Sequence, residues 1–176
     1  MKKKWFIPLA LGVALLWINR PGRNQAVRLP TGNIPMPAWT MRDLQDRPVA
    51  STNFAGKVLI LNFWATWCPP CIAEIPDLKA FHTAHEAEGV VVLGAAIDED
   101  GAAKVKPFAA RNHINYPVLL ADLAVQEQFG GVSGVPTTFI VDRTGRMIAR
   151  YLGPLNEAEL NRAIAPLLAP AVIPPR

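Results

Sequence analysis

The stretch from Val58 to Pro76, VLILNFWATWCPPCIAEIP, constrains the chain more than any other. It begins as an unbroken apolar run, Val58 to Trp64, too short for a comfortable helix and rich in branched residues. That is the pattern of a strand buried on both faces, as in a parallel sheet. After Ala65, Thr66 and Trp67 come the only two cysteines, Cys68 and Cys71, spaced C-x-x-C. From Pro69 onward the residues read as the first turn of a helix, where proline is tolerated because the first helical N–H groups have no intrahelical partner. Cys68 then stands just before a helix N-terminus, where free N–H groups and the helix dipole favour an anion. A thiolate is such an anion, so this placement lowers the thiol pKa and makes Cys68 a nucleophile. Cys71, one turn further in, is close enough to attack a mixed disulfide formed on Cys68. The stretch reads as a redox dithiol.

The blander readings are weaker. So small a loop removes little unfolded-chain entropy, which argues against a purely structural disulfide. A single C-x-x-C supplies two ligands where zinc normally takes four, and no second cysteine pair or nearby histidine completes the set. No metal and no cofactor are expected. A C-x-x-C closing a strand in an α/β pattern is instead a redox motif with a physical mechanism.

NFWATWCPPC, Pro76 five residues after Cys71, and GVPTTFIVDRTG at Gly134–Gly145 together resemble the thioredoxin fold, and more narrowly its TlpA/ResA-type branch of membrane-anchored thiol–disulfide oxidoreductases. The resemblance covers roughly Pro37 to Ala169. It implies an exposed Cys68 and a largely buried Cys71. Asn62 departs from ordinary thioredoxins, which carry a buried acid six residues before the first cysteine to help take the proton of the second. The ResA-like branch lacks that acid and carries a glutamate three residues after the second cysteine, which here is Glu74. One helical turn from Cys71, Glu74 is placed for proton transfer or pKa tuning; the competing reading is a solvated helix glutamate. Pro136, after Val135, falls in the segment similar to the family's cis-proline loop, where the backbone of Val135 is expected to pair with an extended substrate segment. Trp67, Pro69 and Pro70 are expected to shape an apolar surface around the sulfur, Trp64 to lie in the core, and Pro76 to kink the helix.

The functional expectation is an exported, membrane-tethered thiol–disulfide oxidoreductase that reduces partner-protein disulfides. In the family the partners include apocytochrome c and proteins that deliver or hold copper for oxidase assembly, and an integral-membrane thiol transporter re-reduces the dithiol. A thiol peroxidase of the peroxiredoxin type shares the fold but wants P-x-x-x-[TS]-x-x-C. The positions seven and three before Cys68 are Leu61 and Ala65, and those before Cys71 are Trp64 and Cys68. A non-enzymatic copper chaperone on the same fold wants C-x-x-x-C and a distant histidine, and the spacing here differs by one residue. A cytochrome-c-specific branch usually carries an acidic residue after the cis-proline, where this chain has Thr137.

Of 176 residues, 51% are hydrophobic, enough for one domain with a sizeable core and a short appendage. The appendage is residues 1–20: Lys2, Lys3 and Lys4, a 14-residue apolar run from Trp5 to Ile18, then Asn19 and Arg20. At about 1.5 Å per residue the run covers roughly 21 Å, short of a roughly 30 Å hydrocarbon core, which favours a cleaved signal peptide. Against that, no A-x-A-like site follows and the run ends in bulky residues, which favours an uncleaved anchor. The balance falls on an anchor, with the domain on the extracytoplasmic, periplasmic side, or secreted to the periplasm if the segment is cleaved. The formal charge of +4 is concentrated there. Six basic residues precede Arg42 with no acid among them, leaving 12 basic against 14 acidic residues in the remainder. No basic stripe is left for nucleic acid. Residues 21–36 read as a linker, 37–169 as the domain and 170–176 as a proline-rich tail.

The predicted elements are a hairpin in Ala38–Val49, a strand at Val58–Trp64, and a helix from Pro70 to about Glu88 ended by Gly89. A strand at Val90–Ile97, a helix at Ala102–Asn112, a short strand at Pro117–Ala121 and a helix at Leu123–Phe129 follow. The chain closes with strands at Thr137–Val141 and Met147–Leu152 and a helix over Asn156–Leu168 with Asn156 as its N-cap. This is an α/β thioredoxin-like fold: a central mixed sheet flanked by helices, with an N-terminal β-hairpin and a central helical insertion. His82 and His85 read as solvated surface histidines, and Asp98, Glu99 and Asp100 as a polar loop at a strand end.

Overall fold

The structure, a computed structural model, describes residues 26–29 and 31–168. In chain order it contains β1 (Val27–Leu29), β2 (Ile34–Pro35), β3 (Thr40–Asp43), β4 (Pro48–Ala50), β5 (Val58–Trp64), α1 (Pro69–His85), β6 (Val90–Ala96), α2 (Ala102–Arg111), β7 (Val118–Leu120), α3 (Leu123–Gln128), β8 (Thr137–Val141), β9 (Arg146–Leu152) and α4 (Glu157–Leu168). The strands form one mixed sheet in the order β1-β9-β8-β5-β6-β7-β3-β4, with β2 also on β9. The pairs β5–β6 and β6–β7 are parallel and the others antiparallel. The mixed sheet with flanking helices is the expected α/β architecture.

β5 explains why its sequence is continuously apolar: all seven residues are buried, because helices cover both faces of the sheet. Val58, Ile60 and Trp64 point to one face, into a cluster with Ile75, Leu78 and Phe81 of α1 and Leu160 and Ile164 of α4. Leu59, Leu61 and Phe63 alternate to the other, packing with Trp39, Leu93, Phe129 and Phe139. Phe63, Phe129 and Phe139 meet there with ring centroids 5.0–5.9 Å apart. Asn62 is the one polar residue of the strand, and the alternation sends it to the α1 face.

The helices begin and end as their residues dictate. α1 opens on Pro69 and Pro70 and passes through a short 3₁₀ turn, Glu86–Glu88, to Gly89. Gly89 has φ 76°, a left-handed conformation that glycine enters at little cost and that stops the helix. At the start of α4, Asn156 Oδ1 accepts from Glu159 N at 2.9 Å while Asn156 N donates to Glu159 Oε2 at 2.9 Å, a reciprocal capping box.

The stretch read as a linker is the main departure. Val27–Leu29 and Ile34–Pro35 both pair antiparallel with β9, so the sheet extends further toward the N-terminus than Pro37. Such short strands carry too few residues for a periodic pattern, and Pro35 in β2 argues against a central strand; an edge position tolerates it. The N-terminal apolar segment and the proline-rich tail lie outside the described residues. Among the described residues, no helix is long and apolar enough to cross a membrane.

Candidate active site

The four-residue link Ala65–Cys68 carries the chain from the C-terminal end of β5 into α1. Cys68 N donates to Ala65 O at 3.2 Å, turning the chain so that Cys68 becomes the N-cap. Pro69 and Pro70 have no N–H, so the first helical donor is Cys71 N, and it points at Cys68 Sγ at 3.3 Å. The sulfur thus occupies the position an N-cap oxygen usually takes. Cys68 and Cys71 are joined as a disulfide. Both sulfurs are covered, Cys68 being 3% exposed and Cys71 1%. The expectation of an exposed Cys68 is corrected here: in the oxidised state it belongs to the core cluster against which Val135 packs.

The loop before β8 faces the disulfide. The Val135–Pro136 peptide bond is cis, and Val135 O lies 3.6 Å from Cys68 Sγ. Pro136 is buried and Val135 half-buried. Thr137 Oγ1 donates to Gly134 O at 2.7 Å and Gly153 N to Pro136 O at 2.9 Å, which tie this loop to β9 and its exit. Trp67 stands out at 61% exposure, Pro69 is exposed and Pro70 half-buried. Trp67 also borders a cleft of about 1100 Å³ that extends between Met41, Ile97, Leu120, Asp122 and Leu123. Trp64, by contrast, is core.

Glu74 is not a solvated helix residue. It is 2% exposed, one turn beyond Cys71 and under β5. Asn62 Nδ2 donates to Glu74 Oε1 at 2.8 Å and to Thr138 Oγ1 at 3.0 Å, and Leu155 N donates to Glu74 Oε2 at 3.0 Å. Burial is the dominant influence on this carboxyl and raises its pKa from 4.5 to about 8, even though the bonds from Leu155 and Asn62 pull the other way. Tyr116 packs nearby, and its hydroxyl is pushed upward by burial and then by the Glu74 charge. A carboxyl that changes protonation near neutral pH, beside a buried cysteine, is equipped to take or return a thiol proton.

On the other side of the link, Asp98 follows the end of β6 and is 8% exposed. Thr66 donates to it twice: Thr66 Oγ1 to Asp98 Oδ1 at 2.5 Å and Thr66 N to Asp98 Oδ2 at 3.0 Å. The expected polar loop at the end of β6 is present, but Asp98 is buried in it while Glu99 and Asp100 are exposed. His82 and His85 are not solvated either. His82 is buried, edge-on to Tyr116, with Nε2 3.5 Å from Glu86, and burial lowers its pKa. His85 meets Glu88 at 2.8 Å and Asn161 at 2.6 Å.

The structure thus gathers Cys68, Cys71, Glu74, Val135 and Pro136 into one site, with Trp67, Pro69 and Pro70 on its rim. Sequence reasoning missed Asn62 and Thr138 as the carboxylate's support, and Thr66–Asp98 as a clamp. One signal for the first was present: a lone asparagine inside a fully apolar strand requires a buried polar partner.

The Redoxin family profile matches residues 31–164. The chain belongs to the Redoxin family. The thiol:disulfide interchange protein HelX of Rhodobacter capsulatus is 35% identical over 163 residues, covering 92% of this chain and 82% of HelX. A thiol-disulfide oxidoreductase ResA of Geobacillus thermodenitrificans is 29% identical over 126 residues, 72% of each chain. Among solved structures, a thiol:disulfide interchange protein of the thioredoxin family from Chlorobium tepidum superposes with TM-score 0.71 at 31% identity, over 80% of this chain and 100% of its own. A DsbF homologue from Corynebacterium diphtheriae gives 0.72 at 27%, over 85% and 97%. With a C-x-x-C pair at the N-terminus of α1, this Redoxin-family chain is a ResA-like, thioredoxin-like thiol–disulfide oxidoreductase, and proteins bearing disulfides are its substrates.

Proposed function

We propose that this oxidoreductase works as a reductant of partner-protein disulfides on the extracytoplasmic side of a membrane, held there by its N-terminal segment. In this reading it serves cytochrome c maturation or copper-site assembly, and a membrane thiol reductase resupplies it. The observation that carries the exchange chemistry is the Cys68–Cys71 disulfide at the N-terminus of α1 with the buried Glu74 one turn from Cys71, and the reductive direction follows the ResA-like resemblance. In the reduced protein Cys68 thiolate attacks one sulfur of a partner disulfide. The partner's other sulfur leaves as a thiolate and takes a proton from water. Cys71 thiol then passes its proton to the Glu74 carboxylate and attacks Cys68 Sγ, and the partner's second sulfur leaves. Two electrons pass to the partner and the Cys68–Cys71 disulfide remains. The donor returns two electrons, and the proton held on Glu74 goes back to Cys71. Val135 O, beside Cys68 Sγ, is available to accept a backbone N–H of an extended partner segment, and Trp67 with the adjoining cleft offers apolar surface for its side chains.

The test is the reduction potential of the full chain, measured by equilibration in thiol redox buffers. A value below about −200 mV supports the reductive assignment, and one near about −120 mV, the range of strong oxidants, overturns it. Cys71→Ser halts the exchange at the mixed disulfide, so partners trapped on Cys68 in the native host identify the pathway. Alkaline extraction of membranes from cells making the intact chain tests the tether: a protein released to the supernatant refutes it.

A further inference from the structure

Cys68 accepts the first free N–H of α1 only if the short link from β5 delivers its sulfur to the helix axis. Nothing in Ala65-Thr66-Trp67-Cys68 is intrinsically rigid. β5 and β6 run parallel in the register Trp64↔Ala96, and the ladder's last rung is Ile97 N to Trp64 O at 3.0 Å. The backbone ladder ends at that rung, and the only backbone hydrogen bond within the link is Cys68 N to Ala65 O. Asp98 extends the pairing by one more step through its side chain. Its two oxygens take Thr66 Oγ1–H at 2.5 Å and Thr66 N–H at 3.0 and 3.3 Å, and both residues are buried. Among the described residues Asp98 has no cationic partner. A buried carboxylate without one is costly, and its bonds to neutral donors are shorter and stronger than neutral ones. Every side-chain bond it makes goes to one residue, two positions before the nucleophile.

We propose that Asp98 is a positioning residue of the redox site, whose grip on Thr66 fixes the link so that Cys68 Sγ meets the N–H of Cys71. This rests on the dithiol reading but assigns a role outside it. The clamp works through geometry, and its removal lets the sulfur drift from the helix N-terminus. The thiolate then loses its main stabilisation, and the Cys68 thiol becomes harder to ionise. Charge and geometry act in opposite directions here, which makes the assignment decidable: a nearby carboxylate acting only by its charge destabilises the thiolate, so neutralising it would help ionisation.

The experiment is a pH titration of Cys68 in the reduced full chain, followed by the rate of iodoacetamide alkylation. Wild type is compared with Asp98→Asn, Thr66→Val and Thr66→Ser. The expected result is a thiol pKa raised in both Asp98→Asn and Thr66→Val, with alkylation at pH 7 slowed about three- to tenfold, the size of a half to one unit. Thr66→Ser, which keeps the hydroxyl, is expected to titrate like wild type. A lower thiol pKa in Asp98→Asn with no change in Thr66→Val would mean a charge effect and overturn the proposal. So would thermally weakened variants whose alkylation profile is unmoved, or a Thr66→Ser shift equal to that of Thr66→Val. Thr66→Val is nearly isosteric, which keeps the comparison available if Asp98→Asn does not fold. Failure of the dithiol reading would show separately, as the absence of a reversible two-electron couple in the wild-type chain.

Discussion

Two buried carboxylates flank the CPPC segment, and they are held in different ways. Glu74 lies behind the second cysteine and takes its hydrogen bonds from two distant parts of the chain, Asn62 in β5 and Leu155 before α4. Asp98 lies beside the link to the first cysteine and takes all its side-chain bonds from Thr66. Neither has a cation beside it among the described residues. One carboxylate is embedded between elements, sealed from water, and has its protonation displaced toward neutral pH. The other sits where the backbone ladder of two strands ends and extends it. Burial alone therefore does not give an acid its role; the origin and number of its donors do.

The comparison breaks most visibly at Glu74. Glu74→Gln keeps the shape and removes the proton acceptor, so release of the partner from the mixed disulfide is expected to slow about 10²-fold. The rate should also lose its rise with pH through about 8, the range in which Glu74 gives up its proton. Stopped-flow reduction of a model disulfide protein across pH checks both, and a Glu74→Gln profile identical to wild type would remove Glu74 from the mechanism.

The same group shapes stability. Its pKa is near 4.5 in an exposed chain and about 8 in the fold, so between those values the native state holds a proton the unfolded state has released. The contribution is full below about 4.5 and is lost as pH rises toward 8, at up to about 1.4 kcal/mol per pH unit. Denaturant titrations of the oxidised chain between these values should show that decline, and Glu74→Gln should flatten it.

Asn62→Ala sharpens the contrast between the two carboxylates. It leaves Glu74 with only Leu155 N–H, should raise the Glu74 pKa further, and is expected to cost about 1–3 kcal/mol in chemical denaturation. The Asp98 side should be untouched, so the Cys68 titration is expected to stay as in wild type. The smallest expected effect is at Asn156→Ala, which removes half the capping box beside Leu155 and should cost about 1 kcal/mol of thermal stability.

Much of this molecule is readable from local pattern. β5 and β8 begin and end at the residues the apolar runs indicate, and the remaining predicted elements fall within a few residues of theirs, because periodicity, proline at helix starts and glycine at helix ends act over a few residues. Cys68 before the first turn of α1 was legible for the same reason: the strand-to-helix change and C-x-x-C lie in one continuous stretch. Glu74 became a candidate through the resemblance to the ResA-like branch, with its one-turn spacing from Cys71 in support, but its burial was not legible, since a face of α1 says nothing about what covers it.

Local sequence therefore set the elements from β3 to α4 and the placement of a dithiol at a helix N-terminus, and the family resemblance named Glu74, Val135 and Pro136 beside it. The chemical state of these residues, and the two strands before β3, came from contacts between distant parts of the chain. Glu74 is raised because the fold seals it from water, while Leu155, 81 residues away, and Asn62 supply hydrogen bonds that pull the other way. Thr66 is clamped because β6 ends beside it, 32 residues on. Cys68 is covered because the Val135 loop returns to it. Val27–Leu29 and Ile34–Pro35 become strands because β9 offers an edge. Each of these depends on desolvation and on hydrogen bonds between residues far apart in the chain, and those energies exist only once the sheet has brought the partners together.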